Sequence, residues 1–124
     1  MVLGIGIDVV DQARISKAYR RFGKRFLERI LTDSEIEFCM KRTDPIPAIS
    51  ARFAAKEATY KALGPAPNEI IPFEDVEVQM VGRRPEIVLS GTAQLIADDM
   101  GVGNIFISIS HDAGVAVAVV VLSK

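Results

Sequence analysis

The chain has few of the residues that build disulfide frameworks and lacks the long apolar runs that build membrane spans. Its 124 residues include one cysteine, one histidine and no tryptophan. One thiol cannot form an internal disulfide, so Cys39 is consistent with a reducing compartment. The longest apolar run, Val115–Leu122, has the length of a strand. The first residues, MVLGIGID, have no basic region and predict a strand rather than a signal peptide. We therefore expect a cytoplasmic protein that contacts no membrane.

Several site classes are excluded by what is missing. The 15 basic residues are balanced by 16 acidic ones, which argues against bulk binding of nucleic acid. A single Cys and a single His, far apart in sequence, exclude zinc sites of the usual spacing. No phosphate-binding glycine loop of the GxxxxGK[ST] or GxGxxG type is present. A hard-cation site built on carboxylates remains, because Mg²⁺ takes one or two protein carboxylates plus waters and phosphate oxygens.

Hydrophobic residues, in contrast, are plentiful. They make up 49% of the chain, and the mean hydropathy is +0.25. A chain of this length can form one domain with its own core, and no linker or internal repeat divides it. We predict a single domain over residues 1–124, and we assign the apolar surplus to a subunit interface.

The stretch Ser50–Gly64, SARFAAKEATYKALG, predicts one amphipathic helix. It is rich in alanine, and Gly64 followed by Pro65 is a stop signal. Glu57 and Lys61 stand four residues apart, so their side chains lie on one face. Such a pair is often only a solvated ion pair worth a few tenths of a kcal/mol, on the order of other exposed pairs. Spacing alone therefore leaves the structural and the functional interpretation open.

The amino-terminal third predicts a strand followed by a basic helical region. Val2–Ile7 is a short buried strand, with glycines on one side where another backbone or a ligand can approach. Asp8 should end it, as a turn residue, a helix cap or a metal ligand. Asp11 is a candidate N-cap for a helical stripe that continues to Ile30. The opposite face of this region is basic: Arg14, Lys17, Arg20, Arg21, Lys24, Arg25 and Arg29. It is either a solvated face or a docking surface for an acidic partner.

The remaining elements are predicted by caps and alternation. They are a capping box at Thr32–Glu35 opening a helix over 33–41, a break at Asp44–Pro47, a hairpin of Val76–Val81 and Glu86–Leu89, a helix at Gly91–Met100, a strand at 105–110, a connection at His111–Gly114 and an inner strand at Val115–Leu122. The fold class is therefore α+β, an antiparallel sheet packed against helices.

The segment Ser108–Asp112, SISHD, contains the residue types of a catalytic triad. Adjacent residues of a strand point to opposite faces, so this local run does not assemble one. His111, at the strand end, is either a hydrogen-bonded structural histidine or a ligand-binding one.

Four motifs together carry a resemblance that spans almost the whole chain. They are GIGID at Gly4–Asp8 with Arg14, ERILTDSE at Glu28–Glu35, ARFAAKEATYKALG at Ala51–Gly64 and SISHD at Ser108–Asp112. In this order they resemble the holo-[acyl-carrier-protein] synthase family, the small bacterial 4′-phosphopantetheinyl transferases. The alanine-rich motif is the most specific of the four.

The resemblance implies a reaction, a metal and an assembly. The family moves the phosphopantetheine arm of coenzyme A to a serine of apo acyl carrier protein and releases 3′,5′-ADP, which supports fatty-acid biosynthesis. By position, Asp8 and Glu57 match its Mg²⁺ ligands, where Mn²⁺ is also possible. Lys61 matches the lysine beside the pyrophosphate, so Asp8, Glu57 and Lys61 are the catalytic candidates. The family is usually homotrimeric, with sites between neighbouring subunits.

The resemblance also implies two sets of binding residues. Lys61, His111 and Arg52 match positions that bind coenzyme A. The positions that meet the acidic carrier protein are Arg14, Arg21, Arg25 and Phe26. The chain departs from many relatives at the loop Gly64–Asn68 and at Val115, where many carry a glycine-rich loop and an aromatic ring.

Two other function classes stay open from the sequence. The first is a non-catalytic module that binds an acidic helix through the basic face. The second is a Mg²⁺-dependent phosphohydrolase of a nucleotide.

Overall fold

The computed structural model describes residues 1–124 and has the α+β architecture that the sequence predicts. Its helices and strands are β1 (Val2–Asp11), α1 (Gln12–Phe22), α2 (Lys24–Ile30), α3 (Asp33–Met40), α4 (Ile46–Leu63), a 3₁₀ turn (Phe73–Asp75), β2 (Val76–Val81), β3 (Arg84–Leu89), α5 (Gly91–Met100), β4 (Asn104–Asp112) and β5 (Val115–Ser123). All strand pairs are antiparallel, so the predicted fold class is confirmed.

Two sheets share the strands, and α4 packs on the larger one. That sheet has the order β1-β5-β4, which confirms that β5 is the inner strand, and β2 and β3 form a separate hairpin. Gly4 and Gly6 face α4 so closely that a Cβ on either would overlap the carbonyl oxygens of Ala62 and Ala58. The predicted close approach at these glycines is therefore confirmed, and the approaching backbone is that of α4.

Helix α4 is the centre of the molecule rather than an amphipathic surface helix. It begins at Ile46, four residues before the predicted start, and it ends at Leu63, followed by the cap residue Gly64 with φ 57°. Eleven of its 18 residues are buried, including the charged Arg52 and Lys56. The amphipathic prediction was wrong because the sheet covers one side of the helix, while α3 and β2 cover others.

Three predicted boundaries also change. Asp8 lies inside β1 rather than at its end, because pairing with β5 continues to Asp11. The basic helical region is two helices, divided at Gly23 with φ 62°. His111 belongs to β4, since the β4–β5 ladder extends to Asp112 and leaves a two-residue connection. That connection, Ala113-Gly114, has positive φ at both residues, as tight hairpins favour.

None of the helices is sufficiently long and apolar to traverse a bilayer.

Candidate active site

Asp8, on β1, and Lys61, in the last turn of α4, form an ion pair. Asp8 points toward α4 because it continues the alternation of Gly4 and Gly6. The Lys61 Nζ donates to Asp8 Oδ1 at 3.0 Å and to the carbonyl oxygen of Ile7 at 3.0 Å. The Asp8 side chain is 15% exposed, against 53% for Lys61. The ammonium is thus held at the carboxylate while it remains open to solvent.

Glu57 lies one turn before Lys61 and is electrostatically coupled to the same pair. Burial raises the pKa of the Glu57 carboxyl, the negative charge of Asp8 raises it further, and Lys61 opposes the shift. Asp8 and Glu57 also line the same cavity, so two carboxylates from distant parts of the chain converge here.

The two carboxylates open into one cleft. Asp8 and Glu57 line a cavity of about 360 Å³ together with Arg14, Phe26 and Phe53. Asp11 also lines this cavity. Its Oδ1 accepts from the Ala13 backbone N–H at 2.9 Å and caps α1. The N-cap prediction for Asp11 is therefore confirmed, and the cap starts the helix that carries Arg14.

The donor set of this cleft fits a divalent ion that keeps open positions. No group of three or more His, Cys, Asp or Glu side chains is gathered anywhere in the protein. Asp8 and Glu57 supply two carboxylates, which is the number that Mg²⁺ takes when waters and substrate phosphate oxygens complete its shell. A closed structural metal site would require more protein ligands.

A second, apolar groove adjoins this cleft and shares Phe26 with it. It has a volume of about 630 Å³. Its lining is mainly apolar with two arginines: Ala18, Phe22, Arg25, Phe26, Arg29, Ile30 and Phe73. Arg21 does not line it, but its guanidinium lies 5.2 Å from the centre of the Phe22 ring. The break at Gly23 directs α1 and α2 so that both contribute to the groove.

The remaining predicted binding residues, Arg52 and His111, lie in a third cleft. They line a cleft of about 420 Å³ with Phe38, Arg42 and Asp44. Arg52 is 5% exposed, its guanidinium lies 4.0 Å from the Phe38 ring centre, and its Nε has no hydrogen-bond partner. Lys61 does not line this cleft. It lies nine positions after Arg52 along α4, which is roughly 13 Å of helix axis.

The sequence interpretation missed some residues that line these cavities. Arg42 lines the third cleft, with its guanidinium 4.8 Å from the Phe38 ring centre, and Phe73 lines the apolar groove. The spacing of Phe38 and Arg42, four apart near a helix end, is a signal that could have found Arg42. Nothing local distinguishes Phe73, since its role depends on the placement of the 3₁₀ turn against α2.

The two departures from the resembling family fall outside the Asp8 cleft. Val115 pairs with both Asp11 and Asp112, and its carbonyl oxygen accepts from Gln12 Nε2 at 3.4 Å. In the loop after α4, the Ala66 backbone N–H donates to Glu69 Oε1 at 2.7 Å. Neither Val115 nor any residue of the loop Gly64–Asn68 lines the cavity that Asp8 and Glu57 share.

Comparison with known proteins gives a consistent result at the level of sequence and fold. The model of a family described as "4'-phosphopantetheinyl transferase superfamily" matches residues 4–120. The holo-[acyl-carrier-protein] synthase of Koribacter versatilis is 42% identical over 98% of both chains, and that of Maridesulfovibrio salexigens is 42% identical over 100% of both.

Solved structures agree. The holo-[acyl-carrier-protein] synthase from Neisseria meningitidis superposes with a TM-score of 0.88, 31% identity and full coverage of both chains. The Helicobacter pylori enzyme in complex with coenzyme A gives a TM-score of 0.83 at 41% identity, over 96% of this chain and 99% of that one. The chain therefore belongs to the holo-[acyl-carrier-protein] synthase family of the 4′-phosphopantetheinyl transferase superfamily.

Proposed function

We propose that this protein transfers the 4′-phosphopantetheine group from coenzyme A to a serine of apo acyl carrier protein, with release of 3′,5′-ADP. One observation carries the proposal: Asp8, Glu57 and Lys61 meet beside a cleft that adjoins an apolar groove edged by arginines. The relatives support it, because they are named holo-[acyl-carrier-protein] synthases and one solved structure holds coenzyme A.

Mg²⁺ is the cofactor that we assign to the cleft, with Asp8 and Glu57 as its ligands and Mn²⁺ as a substitute. When bound, the ion supplies positive charge where the pyrophosphate and the departing phosphate carry negative charge. The proposal rests on the two carboxylates, Asp8 and Glu57, that face one cavity.

Lys61 and Glu57 are the other parts of the chemistry. Lys61 places an ammonium next to the metal ligand Asp8, where it can neutralise or protonate the leaving phosphate. The raised pKa of Glu57 makes this carboxylate a better proton acceptor than an ordinary glutamate once it is ionised. Glu57, directly or through a bound water, can therefore accept the proton of the attacking serine hydroxyl.

The carrier protein would dock on α1 and α2. Its acidic surface would meet Arg14, Arg21 and Arg25, which raises the encounter rate and fixes the register. Phe26 lines both the apolar groove and the Asp8 cleft, so a carrier side chain in the groove would bring the serine toward Glu57.

The outer sheet face supports a homo-oligomer, which we propose to be a trimer. Ile5, Ile7 and Val9 point away from α4 and are 63%, 55% and 61% exposed. Their neighbours in the register, Val121, Val119 and Val117, extend this apolar face across the sheet. Burial against other copies would remove it from water. Since Asp8 and His111 line different clefts, a neighbouring copy can place its Arg52–His111 cleft beside the Asp8 cleft.

The compartment and pathway follow from the proposed reaction. One free, buried thiol, Cys39, requires no oxidising compartment, so we place the protein in the cytoplasm, where it would activate acyl carrier protein for fatty-acid biosynthesis.

A mass measurement tests the proposal. Incubation with coenzyme A, Mg²⁺ and apo acyl carrier protein should add about 340 Da to the carrier, the mass of the phosphopantetheine arm. Omission of Mg²⁺ with a chelator should abolish the shift. Carrier binding that needs neither metal nor coenzyme A, without a mass change, would instead favour a binding module. Nucleotide cleavage without any carrier would favour a phosphohydrolase.

A further inference from the structure

The most completely buried charges of the protein are not in any of the three cavities. Lys56 and Glu35 are each 1% exposed, and the Lys56 Nζ lies 2.7 Å from Glu35 Oε1. Lys56 directly precedes Glu57 on α4, while Glu35 belongs to the capping box of α3. Neither residue has a part in the reaction proposed above.

The Lys56 nitrogen and both Glu35 oxygens are hydrogen-bonded, and their partners include backbone groups of other helices and strands. The Lys56 ammonium also donates to the carbonyl oxygens of Phe73, at 2.9 Å, and Val76, at 2.6 Å. The two Glu35 oxygens accept from the Thr32 backbone N–H at 2.8 Å and the Val78 backbone N–H at 2.9 Å. Residues 73–78 are thereby attached to α3 and α4 by three bonds that all pass through the pair.

The attached segment forms walls of two cavities. Phe73 closes the apolar groove, and its ring lies 5.6 Å from that of Phe53, which lines the Asp8–Glu57 cleft. Val78 and Met80, further along β2, line the cleft of Arg52 and His111. We assign the groove to the carrier protein, and we assign this cleft to coenzyme A because it holds Arg52 and His111.

We infer that Lys56, held by Glu35, is a positioning residue that sets the walls of both substrate sites relative to the catalytic helix. The inference rests on the proposed function, because it assigns the two cavities to the two substrates. A buried ion pair is by itself weak support for stability, since an apolar pair of similar volume often serves as well. The carbonyl oxygens of Phe73 and Val76, in contrast, need a donor that no apolar side chain can replace.

The double variant Glu35→Gln/Lys56→Met tests this role. It removes the donor to residues 73 and 76 without leaving an uncompensated buried charge. With the protein assayed well below its unfolding temperature, we expect KM to rise about tenfold for coenzyme A and for the carrier protein. The value of kcat should stay within about twofold, because Asp8, Glu57 and Lys61 are unchanged. A pair with only a structural role would lower the unfolding temperature and the active fraction, and both KM values would stay the same; that result overturns the inference.

The matched control is Glu37→Gln/Lys41→Met. It makes the same two replacements in an ion pair of the same helix region, but that pair is exposed, with a separation of 3.7 Å and side chains at least 72% exposed. It should leave both KM values unchanged. If the buried double variant does not fold, Glu35→Asp shortens the carboxylate while keeping its charge, and it should raise the same two KM values by a smaller factor.

Amide hydrogen exchange separates this inference from the proposed function. Exchange at residues 73–78 should be faster in Glu35→Gln/Lys56→Met than in the unmodified protein, while exchange in β5 stays equal. This readout needs no activity, so it stands even if no transfer to a carrier is found. Equal exchange at residues 73–78 in both proteins would show that the pair does not hold this segment.

Discussion

Glu57 has a proposed role in catalysis, and its ionised carboxylate also lowers the stability of the fold. The two effects can be measured separately. The fold raises its pKa mainly by burial, so ionised Glu57 destabilises the native state. The unfolded chain then binds fewer protons than the native one in the interval between the unfolded and the native pKa. Stability therefore falls as pH rises through this interval, whose lower end is near the usual glutamate value of about 4.3.

Glu57→Gln removes this penalty together with the charge. In chelator-treated buffer at pH 7 we expect the variant to be more stable than the unmodified protein, by a few tenths of a kcal/mol since the side chain is partly solvated, about the scale of other screened charges. The difference should vanish below about pH 4, where both proteins carry a neutral side chain. Urea unfolding at the two pH values measures it. Glu37→Gln, at an exposed carboxylate, is the control and should show neither effect.

The same variant should lose most of its activity. Removal of one of two carboxylates that hold the metal should lower kcat/KM for transfer by about 10²–10³. Saturating Mg²⁺ should not restore the rate if Glu57 also accepts the serine proton. A rate equal to that of the unmodified protein with Mg²⁺ in excess would show that Glu57 is neither ligand nor base.

At the scale of helices and strands, the sequence predicted what depends on neighbours along the chain. The Asp11 cap, the capping box of Thr32 and Glu35, and the alternation of isoleucines in β4 all depend on residues within a few positions, and all are confirmed. The burial of Lys56 could not be predicted in this way, because its partner Glu35 lies 21 residues earlier and its acceptors follow 17 and 20 residues later.

The candidate site follows the same division. The 3.6-residue period of a helix puts Glu57 and Lys61 on one face, but only the packing of β1 on α4 adds Asp8 to them. The resemblance assigned Asp8 to the site, and the structure shows that its Oδ1 lies 3.0 Å from Lys61 Nζ. The burial of Arg52 could not be predicted from the sequence. A charged residue on a helix predicted to be amphipathic suggests exposure, but Arg52 is buried against the Phe38 ring.

The spacing between β1 and α4 gives a prediction at this scale. In Gly6→Ala, the added Cβ would meet the Ala58 backbone carbonyl, which cannot move aside as a flexible side chain does. We expect a loss of about 1–3 kcal/mol in the free energy of unfolding, as for other overpacked sites. Because Asp8 is carried by the same strand, Mn²⁺ affinity should also fall, as measured by electron paramagnetic resonance titration.

Gly103→Ala is the comparison for that experiment. There the nearest atom to an added Cβ is the Lys124 backbone carbon at 3.1 Å, a contact that a shift of a few tenths of an ångström would relieve. Its stability and Mn²⁺ affinity should stay near those of the unmodified protein. An equal loss in both variants would mean that the close contact with α4 has no special importance for Asp8.

The whole molecule presents an apolar sheet face that its own helices leave uncovered. The side of the sheet toward α4 is closed by alanines, valine and leucine of β5 that are fully buried. The other side carries Ile5, Ile7 and Val9 at more than half exposure, next to partly exposed valines of β5. A single chain gains nothing from this arrangement, whereas association with other copies would bury the apolar face.

Ile5→Lys should therefore convert the assembly into monomers in sedimentation velocity runs, because a buried ammonium on this face would lack a partner. If the Arg52–His111 cleft of one copy serves the Asp8 cleft of another, these monomers should also lose about 10²-fold or more in transfer rate. Leu95→Lys is the control, since Leu95 is 69% exposed on α5, away from the sheet face, and should change neither mass nor rate. Monomers that transfer at the full rate would show that each chain contains a complete site. An assembly that survives Ile5→Lys would show that the copies meet through a different surface.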